Sequence, residues 1–595
     1  MTLANRIVIL YGSQTYTAQE YAERIWRTTK LLDLKGPVQA MDDYPVSRLI
    51  HEEYALFVCS TTGEGDEPDN MKTFWKFLLR KNLPAKSLTN LKFGVIGLGD
   101  SSYSKFNFAA KKLHKRLLQL GAQALHEIAL CDYQHDLGHD AVMIPWLKTF
   151  LAKIKPDISA PDIGALKFIP RWKVSLTKTD VAIKENGITK DIYFGTSNTD
   201  HFVNPLHLEI ESNKRITHES HFQDVRLTVF KSVTHDNINY NPGDVFNIRP
   251  RNSKEDIADL FDILASHGID IKPHYMLHVA ECHEEMPVPP FLQQPLPLYI
   301  IAEQYWDLKA YPTQYVFSLL AQISDDKLER DKCIELCSTE GQEEWLNYCR
   351  RPKRTILEVL HDFHKSAAKL TIEVLFELFS TIKPRSFSIA SSCLPSKGEK
   401  IDILVAVVEY QTKIKKPRQG LCSQWLKTLN VGDRVYGWIK KGVFRFPAAN
   451  IPIILIGPGT GLAPFRSLIQ ERVNLHIADR NIIHLFFGCR YKEKDFHCRE
   501  ELEGWEKEGK ISLYCAFSRD QEDKEYVQHK IAQNKEILRS LIINEGAYIY
   551  IAGNAKNMPN NVKDAFVDEV LSEIDDAKSF MQNMTNSGRF QTETW

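Results

Sequence analysis

RIVILYGSQTYTAQEYAERIW, residues 6–26, decides how the N-terminal part of the chain folds. Arg6–Tyr11 is a short apolar run of the kind that fills a strand buried on both faces. GSQTYT (12–17) follows without a break, and Ala18, Tyr21, Ala22, Ile25 and Trp26 then recur at helical spacing. A buried strand, a small polar turn and an amphipathic helix open a parallel, doubly wound sheet. Tyr54–Cys59, Lys92–Gly97 and Glu127–Cys131 read as its other buried strands, so residues 1–153 form one α/β domain.

Beyond that domain the pattern changes. Lys155–Pro170 holds Pro156, Pro161 and Pro170 and breaks both periodicities, which marks an interdomain linker, taken as 154–199. β-type sequence runs from about 200 to 250 (LHLEIESN, DVRLTVFKSV, VFNIRP) and returns at RSFSIASS (385–392) and IDILVAVVEY (401–410). Residues from about 251 to 375 are helical by pattern, so one β-barrel over 200–447 with a helical insertion accounts for both stretches. Over 448–595 strand–helix alternation resumes in IPIILIG, NIIHLFFG, ISLYCAF and AYIYIAG, a second Rossmann-like α/β sheet.

The bulk numbers bound the function. At 595 residues, 43% hydrophobic and 25% charged, the chain needs several cores. A formal net charge of -1 lacks the basic excess with which a nucleic-acid binder neutralises phosphates. The eleven cysteines include no CxxC pair. Cys333 and Cys337 come nearest to a metal spacing, but nothing within reach completes a ligand set, so no metal is expected. Such scattered cysteines suit a reducing compartment. MTLANRIVILYGSQT runs directly into a strand without a signal peptide or presequence, and no membrane-length apolar run occurs. A cytoplasmic protein without a membrane span is the expectation.

Ligands of open α/β sheets sit outside the carboxyl ends of the strands, so chemistry is sought in the loops there. In the first domain these are GSQTYT (12–17), STTGEG (60–65), GLGDSSYSKFN (97–107) and CDYQHD (131–136). Hydroxyl and amide side chains ahead of a helix make a phosphate cradle, and Tyr103 suits stacking on a flat heterocycle. Each loop alone reads equally as an ordinary Gly/Ser/Thr turn; their repetition at successive strand ends favours a binding site. In the last domain GPGTGLAPFR (457–466) lies between a strand and a helix, with Thr460 facing phosphate. Ser518, Arg519, Lys524 and Tyr526, with Gln528 beside them, supply the cations and hydroxyls that an additional 2′-phosphate requires, unless they are plain surface charges.

Taken together, the loops of the first domain resemble, nearly letter for letter, the flavodoxin-like FMN domain of the diflavin reductases, related to cytochrome P450 reductase. RSFS (385–388) and GLCS (420–423) resemble the FAD module of ferredoxin-NADP reductases. The resemblance covers essentially the whole chain and implies three cofactors: FMN, FAD and NADPH. For FMN it points to Gly12, Ser13, Gln14, Thr15, Tyr16 and Thr17; to Ser60, Thr61, Thr62 and Gly63; to Gly97, Leu98, Gly99, Asp100, Ser101, Ser102, Tyr103, Ser104, Lys105 and Phe106; and to Asp132. Tyr16 stands where the family usually has Gly.

For FAD the resemblance points to Arg385, Ser386, Phe387 and Ser388, to Gly420, Leu421, Cys422 and Ser423, and to Arg354 in the run RRPKRT, which reads otherwise as a solvated basic face. Arg385 meets the diphosphate, Phe387 lies against the flavin and Ser388 bonds its reactive nitrogen. For NADPH it adds Glu525, Val527 and Asn561 to the residues above. Relatives commonly carry Cys where this chain has Ala552. Ser388 and Trp595 are the residues placed at hydride transfer, Trp595 stacking on the FAD ring unless FQTETW is a loose tail.

The segment RPKRTILEVL (351–360), the loop GLGDSSYSKFN and the ending RFQTETW (589–595) are similar to the branch of this family in cytosolic iron–sulfur protein assembly. That likeness implies an anamorsin-like iron–sulfur protein as electron acceptor. It docks near the FMN domain on the acidic residues Glu64, Asp66, Glu67, Asp69, Asp132, Asp136 and Asp140, whose other reading is solvated loop charge. A soluble reductase for a haem protein, a sulfite reductase or a methionine synthase stays open, as does a flavin-bearing scaffold with little turnover.

Overall fold

In a parallel sheet every strand is followed by a crossing that returns the chain to the same starting edge, and the described chain contains two such sheets. The computed structural model describes residues 6–63, 65–103, 105–156, 168–178, 205–234, 237–338 and 340–595. They divide into two compact units: residues up to 203 with 250–383 and 411–418, and residues 204–249 with 384–410 and 419–595.

The first unit opens with β1 (Val8–Gly12), β2 (Val38–Ala40), β3 (Tyr54–Ser60), β4 (Lys92–Gly99), β5 (Gln123–Ala124) and β6 (Ala129–Asp132). All pair in parallel in the order β2-β1-β3-β4, with β5 and β6 successive pieces on the far side of β4. This is a flavodoxin-like order, and its reversal between β1 and β3 is the switch point where such sheets bind ligands. The expected strands are all present, and β2 is added: three residues are too short to show a period. α1 (Thr17–Leu31), α2 (Phe108–Gln119) and α3 (Asp140–Ile154) cover the sheet, and Trp26, Leu56, Val58, Phe150 and Ile96 are fully or almost fully buried.

The helical insertion belongs to the same compact unit as this sheet. It includes α4 (Lys254–Ser266), α5 (Gln314–Ile323) and α6 (Ile372–Leu378). The span taken as linker contains a strand, β7 (Trp172–Thr177), paired antiparallel with Met276–Glu281 of the insertion; 157–167 and 179–204 lie outside the described residues. Edge strand β2 is covered as well, since Val38 N–H donates to Glu285 O at 3.2 Å.

Charged groups tie α1 to its neighbours, α3 on the same sheet and α6 of the insertion. Arg24 on α1 bonds Asp140 at 2.8 Å, Arg171 bonds Glu23 of α1 at 2.6 Å and Glu377 of α6 at 3.0 Å, and Arg27 of α1 is ion-paired to the same Glu377. Tyr315 of α5 lies under both Arg24 and Arg27, at 5.3 and 5.5 Å from its ring centre. Burial pushes the Arg27 guanidinium down to about 10; Tyr315 partly opposes this and the nearby Arg171 cation adds to it.

The second unit pairs six strands antiparallel: β8 (Leu206–Arg215), β9 (Val225–Ser232), β10 (Val245–Ile248), β11 (Arg385–Ser388), β12 (Lys400–Ala406) and β13 (Arg434–Lys440), in the order β11-β10-β13-β8-β9-β12. A bridge from Ile389, just past β11, to Ile403 of β12 nearly closes the sheet into a barrel around Phe230, Phe246 and Ile401. Five parallel strands follow: β14 (Ile453–Ile456), β15 (Ile483–Cys489), β16 (Ser512–Phe517), β17 (Tyr548–Gly553) and β18 (Phe590–Thr594), in the order β16-β15-β14-β17-β18. FQTET is therefore a paired strand and not a loose tail. Among the described residues no helix is long and apolar enough to cross a membrane.

Glu377→Ala leaves Arg27 and Arg171 buried without their shared carboxylate, a change that costs about 3–5 kcal/mol. In urea the transition that releases FMN should move to lower concentration by a matching amount, and a midpoint equal to that of the parent protein would show that the pair adds nothing.

Candidate nucleotide sites

Gly12 is in register with Cys59, Ser60 with Leu98 and Gly99 with Asp132, so the four loops of the first sheet leave from one edge. In the loop after β1, Ser13 N–H donates to Asn70 Oδ1 at 2.8 Å and Ser13 Oγ accepts from Ala18 N–H at 3.1 Å. Gln14 locks onto the next loop: its Nε2 donates to Asp69 Oδ2 at 2.8 Å and its Oε1 accepts from Asp69 N–H at 3.1 Å. Tyr16 occupies the N-cap of α1 with φ 64, in the left-handed region. That explains the Gly of relatives, since a side chain there costs about 1–2 kcal/mol. Tyr16 gives the first turn no side-chain cap, and although Ser13 Oγ takes the Ala18 N–H, the positive end of α1 suits an anion. Lys383 Nζ donates to Thr17 Oγ1 at 3.1 Å and lies 3.4 Å from Glu20 Oε2, so it brings a cation to this end of α1 that Glu20 already partly balances.

The other loops are fixed from within. Thr62 and Asp66 exchange backbone bonds of 3.1 and 2.8 Å around Gly63, and Thr61 Oγ1 accepts from Ala109 N–H at 3.2 Å. Ser101 N–H donates to Asp132 Oδ1 at 2.9 Å, and Ser102 N–H to Asp100 Oδ1 at 2.9 Å. Burial pushes the Asp132 carboxyl up, but hydrogen bonds from Ser101 and Gln134 outweigh it and hold it below its ordinary value. Asp132 therefore positions the third loop. Tyr103 is half-exposed, as a stacking ring should be. Leu98 is a core residue, so it can meet a ligand only through its backbone. Asn107, omitted from the expected set, is wholly buried at φ 53 and donates from Nδ2 to Cys131 O at 3.1 Å, tying the third loop to β6. Ser104 and Glu64 lie outside the described residues.

In the second unit β11 pairs with β10, setting Ser388 opposite Val245 and Phe387 opposite Phe246. Arg385 and Ser386 are exposed, Ser386 Oγ donating to Asn247 Oδ1 at 2.6 Å. Gly420 caps α7 (Leu421–Thr428); a Cβ there would stand 2.9 Å from both Ser423 Oγ and Val408 Cβ, so no larger residue fits. Ser423 Oγ accepts from Val408 N–H at 3.0 Å. Burial pushes the Cys422 thiol up to about 12, and the Arg385 guanidinium pulls it the other way. A guanidinium and a helix N-terminus together fit a diphosphate. Leu421 and Cys422 pack inward and offer only backbone groups. Arg354 belongs to the first unit. It is no solvated charge there: its guanidinium stacks on Tyr348 at 4.3 Å and bonds Asp362 at 2.8 Å.

The last sheet builds the third site. Thr460 sits in a tight turn, Gly459–Leu462, ahead of α8 (Ala463–Asn474). A Cβ on Gly461 would come within 2.1 Å of Ala552 O, so the turn lies directly on β17. Ser518 N–H donates to Cys489 O at 3.0 Å and Arg519 N–H to Arg490 O at 2.8 Å, joining the loop after β16 to that after β15. Arg519, Lys524 and Tyr526 are exposed there. Two expected neighbours have structural duties: Glu525 pairs with Lys530 at 2.9 Å, and Val527 at the start of α9 (Val527–Gln533) is buried against Gly488. Gln528 is half-exposed, and Asn561 lies exposed on α10 (Met558–Ala565).

Trp595 follows β18 directly. Its N–H donates to Gly553 O at 3.0 Å and its carbonyl accepts from Ala555 N–H at 3.1 Å, while the residue is 48% exposed. Glu593, in register with Ala552, was not singled out by sequence. Among the described residues its Oε2 is buried without a hydrogen-bond partner, and burial raises its carboxyl to about 7. An unpaired buried carboxylate has no local sequence signature.

The comparisons agree with this geometry. The flavodoxin family matches residues 9–146, the FAD binding domain 198–425 and the oxidoreductase NAD-binding domain 455–564. Proteins named NADPH-dependent diflavin oxidoreductase 1 are similar over the full length: that of Danio rerio is 45% identical over 99% of both chains, and that of Mus musculus 42% over 99% of both. The Schizosaccharomyces pombe protein is 34% identical over 99% of this chain and 100% of its own.

Arg519→Ala should raise the Michaelis constant for NADPH roughly ten- to a hundredfold, as befits a charge-assisted bond of about 1.5–3 kcal/mol, and that for NADH little. Equal losses with both nucleotides would take Arg519 off the 2′-phosphate.

Proposed function

Because this chain belongs to the NADPH-dependent diflavin oxidoreductase family, a class of FMN-, FAD- and NADPH-binding enzymes, we propose that its electrons go to an anamorsin-like iron–sulfur protein in cytoplasmic iron–sulfur cluster assembly. The observation behind the enzymatic part is the three residue sets, two at the carboxyl edges of parallel sheets and one on strand β11 with the amino end of α7. When bound, the two flavins convert a two-electron donor into a one-electron donor. The protein's share is to bind and orient: the amino end of α1 and Lys383 at the FMN phosphate, Arg385 and the amino end of α7 at the FAD diphosphate, Thr460, Ser518 and Arg519 at NADPH. All eleven cysteines are free thiols, which suits the reducing cytoplasm.

The acidic docking face needs correction. Glu67 is ion-paired to Lys112, Asp69 to Lys72 at 2.6 Å, and Asp140 is buried against Arg24 at 2.8 Å. Asp132 is engaged within the loops. Asp66 and Asp136 remain exposed, so the face is narrower than seven carboxylates suggest. Electrostatics of this size acts on association rate and is screened by salt.

Catalytic enzyme with NADPH should reduce an oxidised anamorsin-like protein, seen as loss of its cluster absorbance, faster than haem or cobalamin acceptors; the reverse ranking would sink the reading. Reduction should slow with rising salt and in the Asp66→Lys/Asp136→Lys variant, and a rate indifferent to both removes the charged docking.

Trp595 supports a second element of the proposal. Its backbone is anchored on β17 while its ring stays accessible, as suits a ring that stacks on FAD and gives way to nicotinamide. A chain stopped at Thr594 that retains FAD should gain NADH use relative to NADPH, because NADH lacks the phosphate that holds NADPH through the exchange. An unchanged ratio of kcat/KM values assigns the gate elsewhere.

A further inference from the structure

The loop between β8 and β9 reaches the third nucleotide site. It is stapled from inside: Arg215 donates to the carbonyls of Thr217, His218 and His221 at 3.1, 3.0 and 2.8 Å. It is then tied to the segment after β15, His218 N–H donating to Lys494 O at 2.7 Å and His221 Nε2 lying 3.7 Å from Asp495 Oδ2. Asp495 in turn accepts from the backbone N–H groups of Arg490 and Tyr491 at 3.0 and 2.7 Å. This braced loop displays Phe222, which is 67% exposed.

An aromatic ring so exposed on a rigid loop gains nothing for stability, since it buries little surface. What lies over it is the guanidinium of Arg490, 4.2 Å from the ring centre. Arg490 is exposed, and among the described residues no carboxylate pairs with its side chain. Its carbonyl accepts from Arg519 N–H at 2.8 Å, so its backbone is joined directly to the Ser518–Arg519 loop.

We propose that Phe222 is a positioning residue for NADPH: it holds the Arg490 guanidinium flat beside the Ser518–Arg519 loop, so that a phosphate of the nucleotide meets a cation already oriented. This rests on the reading of Ser518 and Arg519 as the 2′-phosphate loop. A free arginine loses rotamer freedom when it grips an anion, and a ring beneath it lowers that loss. The stacking is worth about 0.5–1 kcal/mol at an exposed site, or roughly two- to fivefold in affinity.

The test uses the full-length holoenzyme with ferricyanide as acceptor. Phe222→Ala should raise the NADPH KM two- to fivefold, with the effect in KM rather than kcat and FAD content unchanged, and Phe222→Trp should restore it. NADP+ titrated calorimetrically should weaken in parallel. In the Arg490→Ala background the Phe222→Ala change should add nothing, because the ring acts through the cation; additive losses overturn the proposal. NADH distinguishes the phosphate: an effect confined to NADPH assigns Arg490 to the 2′-phosphate, and one shared by both nucleotides assigns it to the diphosphate. If Arg519→Ala weakens NADPH while Arg490→Ala and Phe222→Ala do not, this proposal fails and the 2′-phosphate loop stands. If none of the three does, the loop reading itself has failed.

Discussion

Parallel strands can hydrogen-bond only if the chain returns to the same edge before each new strand, and two of the three candidate nucleotide sites follow from that constraint. It forces the carboxyl ends of β1, β3, β4 and β6 into one row, and those of β14, β15, β16 and β17 into another. Each row gathers loops that are far apart in sequence, and each faces a helix whose first amides have no intrahelical acceptor. Anion binding is then a property of the fold before any side chain is chosen. Side chains would then decide which anion, and the cations near these helix starts, Lys383 in the first unit and Arg519 and Arg490 in the second, are the candidates for that choice.

Much of this was legible because its signals are local. A run such as IVILY followed by GSQT carries a strand and its turn within ten residues, and the order of such runs gives the sheet. Tyr16 could be recognised as an oddity from one position, and its φ of 64 supplies the physical reason. β2 escaped notice for lack of length. The groups that escaped otherwise are those whose partners are distant: Arg27 and Glu377 meet across most of the first unit, and neither position looks special in its own neighbourhood.

The acidic loops show the same limit from the other side. Glu67 and Asp69 read as a charged surface until Lys112 and Lys72 are seen opposite them. The resemblance points to Val527 beside Lys524 and Tyr526, and helix geometry turns its side chain into the core while those two stay exposed, so only its backbone can face a ligand. Composition counts charges and periodicity counts faces; neither counts pairs. Phe222 is the converse case, an apolar residue in a polar loop whose purpose appears only with Arg490 above it.

The discontinuity of the two units bears on how the chain is made. Strand β10 ends at Ile248, while its neighbours β11 and β13 begin at Arg385 and Arg434. At roughly 5–20 residues per second on a ribosome, the first partner emerges on the order of ten seconds later. Throughout that interval β8 and β9 can pair as a hairpin, but β10 has both edges bare and Phe246 uncovered. The insertion meanwhile has its own partner already synthesised, the N-terminal sheet. Assembly of the barrel therefore waits on a loop excursion of more than a hundred residues, an interval in which a bare strand edge is the kind of surface that chaperones exist to shield.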